Sequence, residues 1–310
     1  MKYVSWNCRG LGSRSKEEAL KDIVRIYSPD ILLVQETKME DLILLQSSKV
    51  FWKKGHGRAV SARGASGGIA TFWNSAIYEF IQEKSSPHWL FIQLLHKDSG
   101  QQVSMFNVYA PVLPSEKKIC WNSLHSFLLE QNPGNIIIAG DLNVTLALDE
   151  KKGGSIVRDP AREWVEDIML GWDLEDIKPS SGKFTWSNKR IAPNHIAAHL
   201  DRFLVHSTFL TCGLMATSKI LPNLTSDHKP ILLELSMDRN LGPIPFRFSP
   251  LWIQQEGFQE VVSETWNRPV HGSPFFVWEE KVRILKRNLK DCKPPHPKEK
   301  KIQIGLLLID

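Results

Sequence analysis

Three stretches constrain this chain most: ILLVQET (31–37), NIIIAGDLN (135–143) and KPILLELSM (229–237). The first two hold unbroken apolar runs (31–34 and 136–139), the third an apolar stretch interrupted by Glu234 and Ser236, and each abuts acidic or amide side chains. Such a run reads as a strand covered on both faces. Covering both faces of several strands requires helices or a second sheet above and below. The chain is therefore expected to fold as a layered α/β sandwich with mixed sheets.

The remaining patterns fill in that frame. YVSWNC (3–8) reads as a first strand ending at Asn7, and KEEALKDIVRIY (16–27) has helical spacing of apolar residues until Ser28-Pro29-Asp30 stops it. Further strands are expected over 67–74, 88–96, 102–111, 182–188 and 198–206, and helices over 115–130 and 160–170. GHGRAVSARGASGG (55–68) lacks the Gly-Lys-Ser/Thr ending of a phosphate loop and reads as a flexible loop, with Arg58 and Arg63 able to touch a DNA backbone. Past Met237 the texture changes. DRNLGPIPFRFSPLW reads as a linker, and two helices are expected over 252–266 and 276–290. The final IGLLLID reads as the start of an element whose remainder is missing.

Composition narrows the setting. Hydrophobic residues make up 42% and charged residues 24%, as in a water-soluble globular chain. No apolar stretch approaches a membrane span, and MKYVSWNCRG has no signal-peptide core, so an intracellular protein is expected. The four cysteines (8, 120, 212, 292) stand singly, which suits buried free thiols better than a zinc or disulfide framework. The net charge of +5 is concentrated in residues 281–310, with nine basic against three acidic residues. That tail suits either polyanion binding or a solvated helix.

Polar groups recur at strand ends: Asn7, Glu36, Asp141, Asn143, Asp201, Asp227 and His228. Glu36 and Asp227 are hard oxygen ligands and Asn7 offers an amide oxygen, a set suited to Mg²⁺, with Mn²⁺ as a substitute. A single histidine speaks against zinc. Asp141 and Asn143 pair a proton acceptor with an amide donor, and Asp201 is placed to orient His228 and raise its pKa. Together these groups permit hydrolysis of a phosphoester by metal-activated water. Each also has a plainer reading. Asp141 and Asn143 fit a turn, His228 a buried structural histidine, Glu36 a strand cap, and Trp186 either core packing or a base-stacking ring. His195 and His199 are four apart, but Pro193 and the strand-like sequence that follows speak against a helical metal pair.

The ordered set SWNCRGLG (5–12), VQET (34–37), NVYAP (107–111), AGDLN (139–143), HLDRFLV (199–205) and SDHKP (226–230) resembles the endonuclease/exonuclease/phosphatase superfamily. WNCRGLG, GGIATFWN, EKKGG (150–154) and GKFTWSN are similar to the endonuclease domain of plant non-LTR (LINE-type) retrotransposon polyproteins. The resemblance implies a DNase I-like four-layer α/β sandwich, two mixed β-sheets flanked by helices, over residues 1–237. It implies a Pro-rich linker and basic helical connector over 238–310, cut short of a reverse transcriptase. It further implies a Mg²⁺-dependent DNA endonuclease of target-site nicking type, monomeric and nuclear. Asp141, Asn143, Asp201, His228 and Tyr109 would be catalytic, and Asn7, Glu36 and Asp227 would hold or support the metal. Arg9 stands where the superfamily's abasic-site nucleases carry an acid, and His199 where the plant elements carry arginine. Inositol polyphosphate phosphatases of the superfamily share GDLN and SDHKP, so a phosphoesterase acting on inositol or lipid phosphates is the alternative. An inactive retrotransposon-derived remnant is another.

Overall fold

The apolar runs become the central strands of two stacked sheets. A computed structural model describes residues 1–64, 66–155, 157–211, 214–222, 225–237, 253 and 257–291. In chain order the elements are β1 (Lys2–Asn7), α1 (Arg14–Tyr27), β2 (Ile31–Gln35), α2 (Asp41–Phe51), β3 (Gly55–Arg63), β4 (Ser66–Asn74), β5 (Tyr78–Ser85), β6 (Trp89–His96), β7 (Gln102–Tyr109), α3 (Pro114–Gln131) and β8 (Ile136–Asp141). There follow β9 (Lys151–Lys152), α4 (Arg162–Gly171), β10 (Leu174–Asp176), β11 (Trp186–Ser187), β12 (Ala197–Ala198), β13 (Asp201–His206), α5 (Ser207–Thr211), β14 (Leu214–Ile220), β15 (Ile231–Met237), α6 (Phe258–Asn267) and α7 (Pro274–Asp291).

The first sheet runs β14-β15-β1-β2-β4-β3 and the second β10-β13-β8-β7-β6-β5. Each contains one parallel pair, β1 with β2 and β7 with β8, and is otherwise antiparallel. The parallel pairs need crossovers, and α1 and α3 supply them. Inner faces meet in a core that includes Tyr3, Ile31, Leu33, Ile69 and Leu233 from the first sheet and Ile92, Met105, Ile137 and Phe203 from the second. α1 and α2 cover the first sheet's outer face through Leu20, Ile23 and Phe51, against Val4 and Leu32. α3 and α4 cover the second through Trp121, Leu124 and Val165, against Phe106 and Ile138. This is the expected four-layer sandwich. Each fully buried Leu, Ile or Phe adds about 1.5–3 kcal/mol.

Along the inner faces the residues grade from apolar to polar toward one end. Tyr3 gives way to Ser5 and Asn7, Ile31 and Leu33 to Gln35, and Met105 to Asn107 and Tyr109. Gln35 Nε2 donates to Asn107 Oδ1 at 2.6 Å and to Ser5 Oγ at 3.0 Å, while Asn107 Nδ2 donates to Ala70 O at 2.8 Å. These bonds tie the two sheets together beneath the polar end. At the opposite end the chain's amino group donates to Leu235 O at 2.6 Å, so β1 and β15 begin and finish side by side.

Several expectations are corrected. The stretch expected to be a loop, 55–68, contains β3, an edge strand hydrogen-bonded to β4. Arg58 on it lies over the Phe80 ring at 4.4 Å and pairs with Glu83 at 2.9 Å. The strand expected over 182–188 is reduced to Trp186–Ser187. α2, β5, β10 and β14 are additional elements. Cys8 and Cys120 are buried free thiols. Cys212, Cys292, the Pro-rich linker and the end of the basic tail lie outside the described residues. α6 and α7 lie close to the expected helices and pair through Asn288 Nδ2, which donates to Thr265 Oγ1 at 3.1 Å. No described helix is long and apolar enough to cross a membrane.

Candidate active site

The polar end collects the C-termini of the two parallel pairs, β1 with β2 and β7 with β8. Register puts Asn7 beside Gln35 in the first sheet, and Tyr109, Asp141 and Asp201 in a row across β7, β8 and β13 in the second. β8 reaches this row because Gly140 precedes Asp141. Gly140 has φ +136°, and a Cβ there would sit 2.0 Å from Val108 O. Beyond it, Asn143 adopts φ +48°, which asparagine tolerates. Its backbone N–H donates to Asp141 Oδ1 at 3.1 Å, and its Nδ2 donates to Ala110 O at 2.6 Å. Lys117, buried beneath, donates to Asn143 O at 2.5 Å and to Asp159 at 2.9 Å. The turn is thus held on three sides.

His228 arrives from the first sheet, just ahead of β15. Ser226 fixes the approach: its hydroxyl donates to Asn7 O at 2.8 Å and accepts the His228 N–H at 3.2 Å. Nδ1 of His228 lies 3.0 and 3.2 Å from the Asp201 oxygens, and Nε2 lies 3.7 Å from Asp141 Oδ2. Thr185 Oγ1 accepts the N–H groups of Leu200 and Asp201, each at 3.0 Å, and holds the start of β13. Burial alone would push the imidazole pKa down, but Asp201, then Asp141 and Asp227, carry it up to about 9. Burial raises Asp141 to about 6, against the opposing charge of His228 and the Asn7 hydrogen bond. Asn7 Nδ2 donates to Asp141 Oδ2 at 2.9 Å, and Asn7 Oδ1 accepts the Arg9 N–H at 3.1 Å.

A second group lies alongside. Glu36, at φ +54°, sits 3.1 Å from Lys38 Nζ and 3.9 Å from Arg9 Nε. The Tyr109 hydroxyl hydrogen-bonds Glu36, and its pKa is raised by burial and by the charges of Glu36 and Asp141. Asp227 Oδ2 accepts from Trp186 Nε1 at 2.9 Å and from the Arg9 guanidinium. Burial pushes the Asp227 carboxyl up, but the hydrogen bonds from Trp186 and Arg9 bring it below the usual range. All eight residues singled out in the sequence therefore meet at one end of the sandwich. Asn7 turns its amide nitrogen to Asp141 and its oxygen to the backbone of Arg9, so it supports Asp141 rather than facing Glu36 and Asp227.

Arg9, Trp186, Ser226, Thr185 and Lys117 complete the site; of these, the sequence points to Trp186 and, through SDHKP, to Ser226. Below it lies a buried ionic cluster. Arg202, with no side-chain exposure, pairs with Glu150 and, at 2.6 Å, with Asp176. Burial raises Glu150, yet its bonds to Arg202 and Lys178 bring it down to about 2. His199 packs against this cluster with Nδ1 3.0 Å from Lys183 O, and burial followed by the Arg202 charge lowers it to about 4. It is a neutral packing residue.

Two groups of side chains could hold a cation. Asp141, Asp201 and His228 bring ligand atoms within 4.8 Å of one another. A charged imidazole with both nitrogens turned to carboxylates does not ligate, however, and Asp141 is already hydrogen-bonded by Asn7 and Asn143. Glu36 and Asp227 fit a hard divalent ion better. A single guanidinium lies against both, its Nε 3.9 Å from Glu36 Oε1 and another of its nitrogens on Asp227 Oδ2, so the two carboxylates flank one cationic group.

The family model described as the Endonuclease/Exonuclease/phosphatase family matches residues 4–228, and the chain belongs to that family. Beyond the family, a Xenopus laevis relative, the Transposon TX1 uncharacterized 149 kDa protein, is 26% identical over 184 residues. The match covers 56% of this chain and 14% of that relative, so this chain spans only a small part of it. An AP endonuclease from Leishmania major shares the fold at TM-score 0.63 and 17% identity, over 75% of this chain and 86% of its own. So does a Neisseria 3′ phosphatase bound to product DNA hairpin, at TM-score 0.59 and 19% identity, over 76% and 99%.

Proposed function

We propose that this chain is a divalent-metal-dependent DNA endonuclease of the retrotransposon target-site nicking type. The observation that carries the reading is the Asp141–His228–Asp201 cluster set beside the Glu36–Asp227 pair, with Tyr109 between them. Near neutral pH, Asp141 at about 6 is mostly ionised and His228 at about 9 is charged. Asp141, aligned by Asn7 and Asn143, takes the proton of the attacking water. His228 presents a positive edge to the phosphate charge that builds in the transition state, and Asp201 holds the ring in place. Tyr109 contacts a phosphate oxygen, and so does the Asn143 amide, whose second N–H otherwise reaches Asp141 Oδ2 across a long 3.4 Å. Glu36 and Asp227 hold the metal, Mg²⁺ or Mn²⁺, which when bound polarises the phosphate and acidifies water.

The Neisseria structure with a DNA hairpin and the transposon relative favour DNA as the partner. A chromosomal target places the action in the nucleus. We assign residues 1–237 to the catalytic domain, working as a monomer, and 238–310 to a linker and helical connector. The test is supercoiled plasmid with Mg²⁺, with and without EDTA, beside Asp141→Ala. EDTA-sensitive nicking that vanishes in the variant supports the proposal. Phosphate released from inositol phosphates without nicking moves the substrate to a small phosphate. Neither activity from folded protein identifies an inactive remnant.

A further inference from the structure

The pair assigned to the metal already has a cation of the protein's own between its members. The Arg9 guanidinium donates to Asp227 Oδ2 and lies 3.9 Å from Glu36 Oε1, and Lys38 Nζ is 3.1 Å from the same Glu36 oxygen. Two carboxylates and two side-chain cations leave this group without net charge, so its long-range pull on a dication is slight. The carboxylates are fixed. Glu36 and Asp227 side chains are 10% and 12% exposed, and Trp186 holds Asp227 from behind at 2.9 Å. Arg9 differs: its side chain is 50% exposed. Its backbone is anchored, with φ +50° and its N–H on Asn7 Oδ1, so the side chain can leave without moving the loop.

We propose that Arg9 is a tethered place-holder in the divalent-ion site, and that metal loading is an exchange in which the ion displaces the guanidinium toward solvent. This rests on the reading of Glu36 and Asp227 as the metal-holding pair. An ion entering must break the Arg9–Asp227 bond and accept the nearby positive charge. Removing Arg9 removes both costs, so metal affinity should rise when a side chain of the site is deleted. A residue that merely buttressed the site would have the opposite effect. The freed guanidinium at the mouth is a bidentate phosphate donor. By linkage, DNA should then tighten metal binding in the native chain, and less so without Arg9.

The test is Mn²⁺ binding to the full chain by titration calorimetry without DNA, for the native protein, Arg9→Ala, Arg9→Gln and Glu36→Gln, with thermal melts in metal-free buffer confirming folding. The two Arg9 variants should bind Mn²⁺ roughly three- to tenfold more tightly, the range for loss of a half-exposed charge-assisted pair. Mn²⁺ binding by the Arg9 variants with none by the native chain supports the exchange more strongly. Equal or weaker binding by both folded Arg9 variants overturns it. If Glu36→Gln nevertheless loses binding, the ion site itself survives that failure. Glu36→Gln binding as the native chain does removes the ion site, and the exchange with it.

Discussion

Replacing Asp201 by asparagine tests whether His228 works as a cation. Asparagine keeps the shape and an oxygen for Nδ1–H, which lies 3.0 Å from Asp201 in the native protein, but it removes the charge. Burial lowers the imidazole pKa, and Asp201 is the largest force against it, ahead of Asp141 and Asp227. At about 9, its value in the native protein, roughly 97% of the ring is charged at about pH 7.5. Without Asp201 the value falls back toward the ordinary 6.5, where only about 10% is charged at that pH. Protonation alone then lowers kcat/KM roughly tenfold at about pH 7.5. The loss shrinks as pH falls, because the ring recharges. The assay is initial nicking rate from about pH 5 to about pH 10, with melts at each point. The native basic limb should lie near 9 and the variant's near 6.5. A variant whose basic limb stays near 9, or whose rate is unchanged at about pH 7.5, refutes the reasoning.

On the acid side, native kcat/KM should fall as Asp141 is protonated near 6, so the full profile is a bell whose limbs belong to the coupled pair. Glu150→Gln leaves Arg202 short of a partner inside the protein and should cost about 3 kcal/mol in urea unfolding. The Glu150 pKa is depressed from 4.5 to about 2, so its stabilisation is present above 4.5 and lost as pH falls through 2. The variant's stability should therefore drop less over that window than the native chain's. Gly140→Ala forces a Cβ into Val108 O at φ +136° and should destabilise by at least about 3 kcal/mol, read as a lowered melting temperature. Asn107→Ala takes the acceptor from one Gln35 N–H and the donor from Ala70 O, and should cost about 2 kcal/mol in the same assay.

What the sequence revealed follows burial. Central strands such as β2 and β8 carry continuous apolar runs because a layer covers each face, and β15 buries Ile231, Leu232, Leu233 and Leu235; these were legible. The four edge strands, β3, β5, β10 and β14, were not. β5 buries only Tyr78, so its YEFIQEKS has no apolar run to read. α2 escaped for a related reason: Leu42 and Ile43 face solvent and blur its helical spacing. The candidate site was legible because charged and amide groups stand against apolar runs, where solvation is costly unless they are used. Arg9 was visible only as a departure from a motif. Its engagement of Glu36 and Asp227 depends on loops that meet through the fold, as does the Trp186 bond to Asp227. Arg202 sits in the same motif as Asp201, yet its partners Glu150 and Asp176 come from separate segments.

The first strand of the sandwich begins, and the last ends, at the pole opposite the polar end, where the amino group meets Leu235 O. With β1 six residues long, that pole stands about 20 Å from Asn7. A polypeptide joined ahead of Met1 therefore starts from the pole opposite the candidate site, beside the end of β15. A domain fused ahead of Met1 leaves the polar end of both sheets uncovered, and a tether from there to the end of β15 can be short.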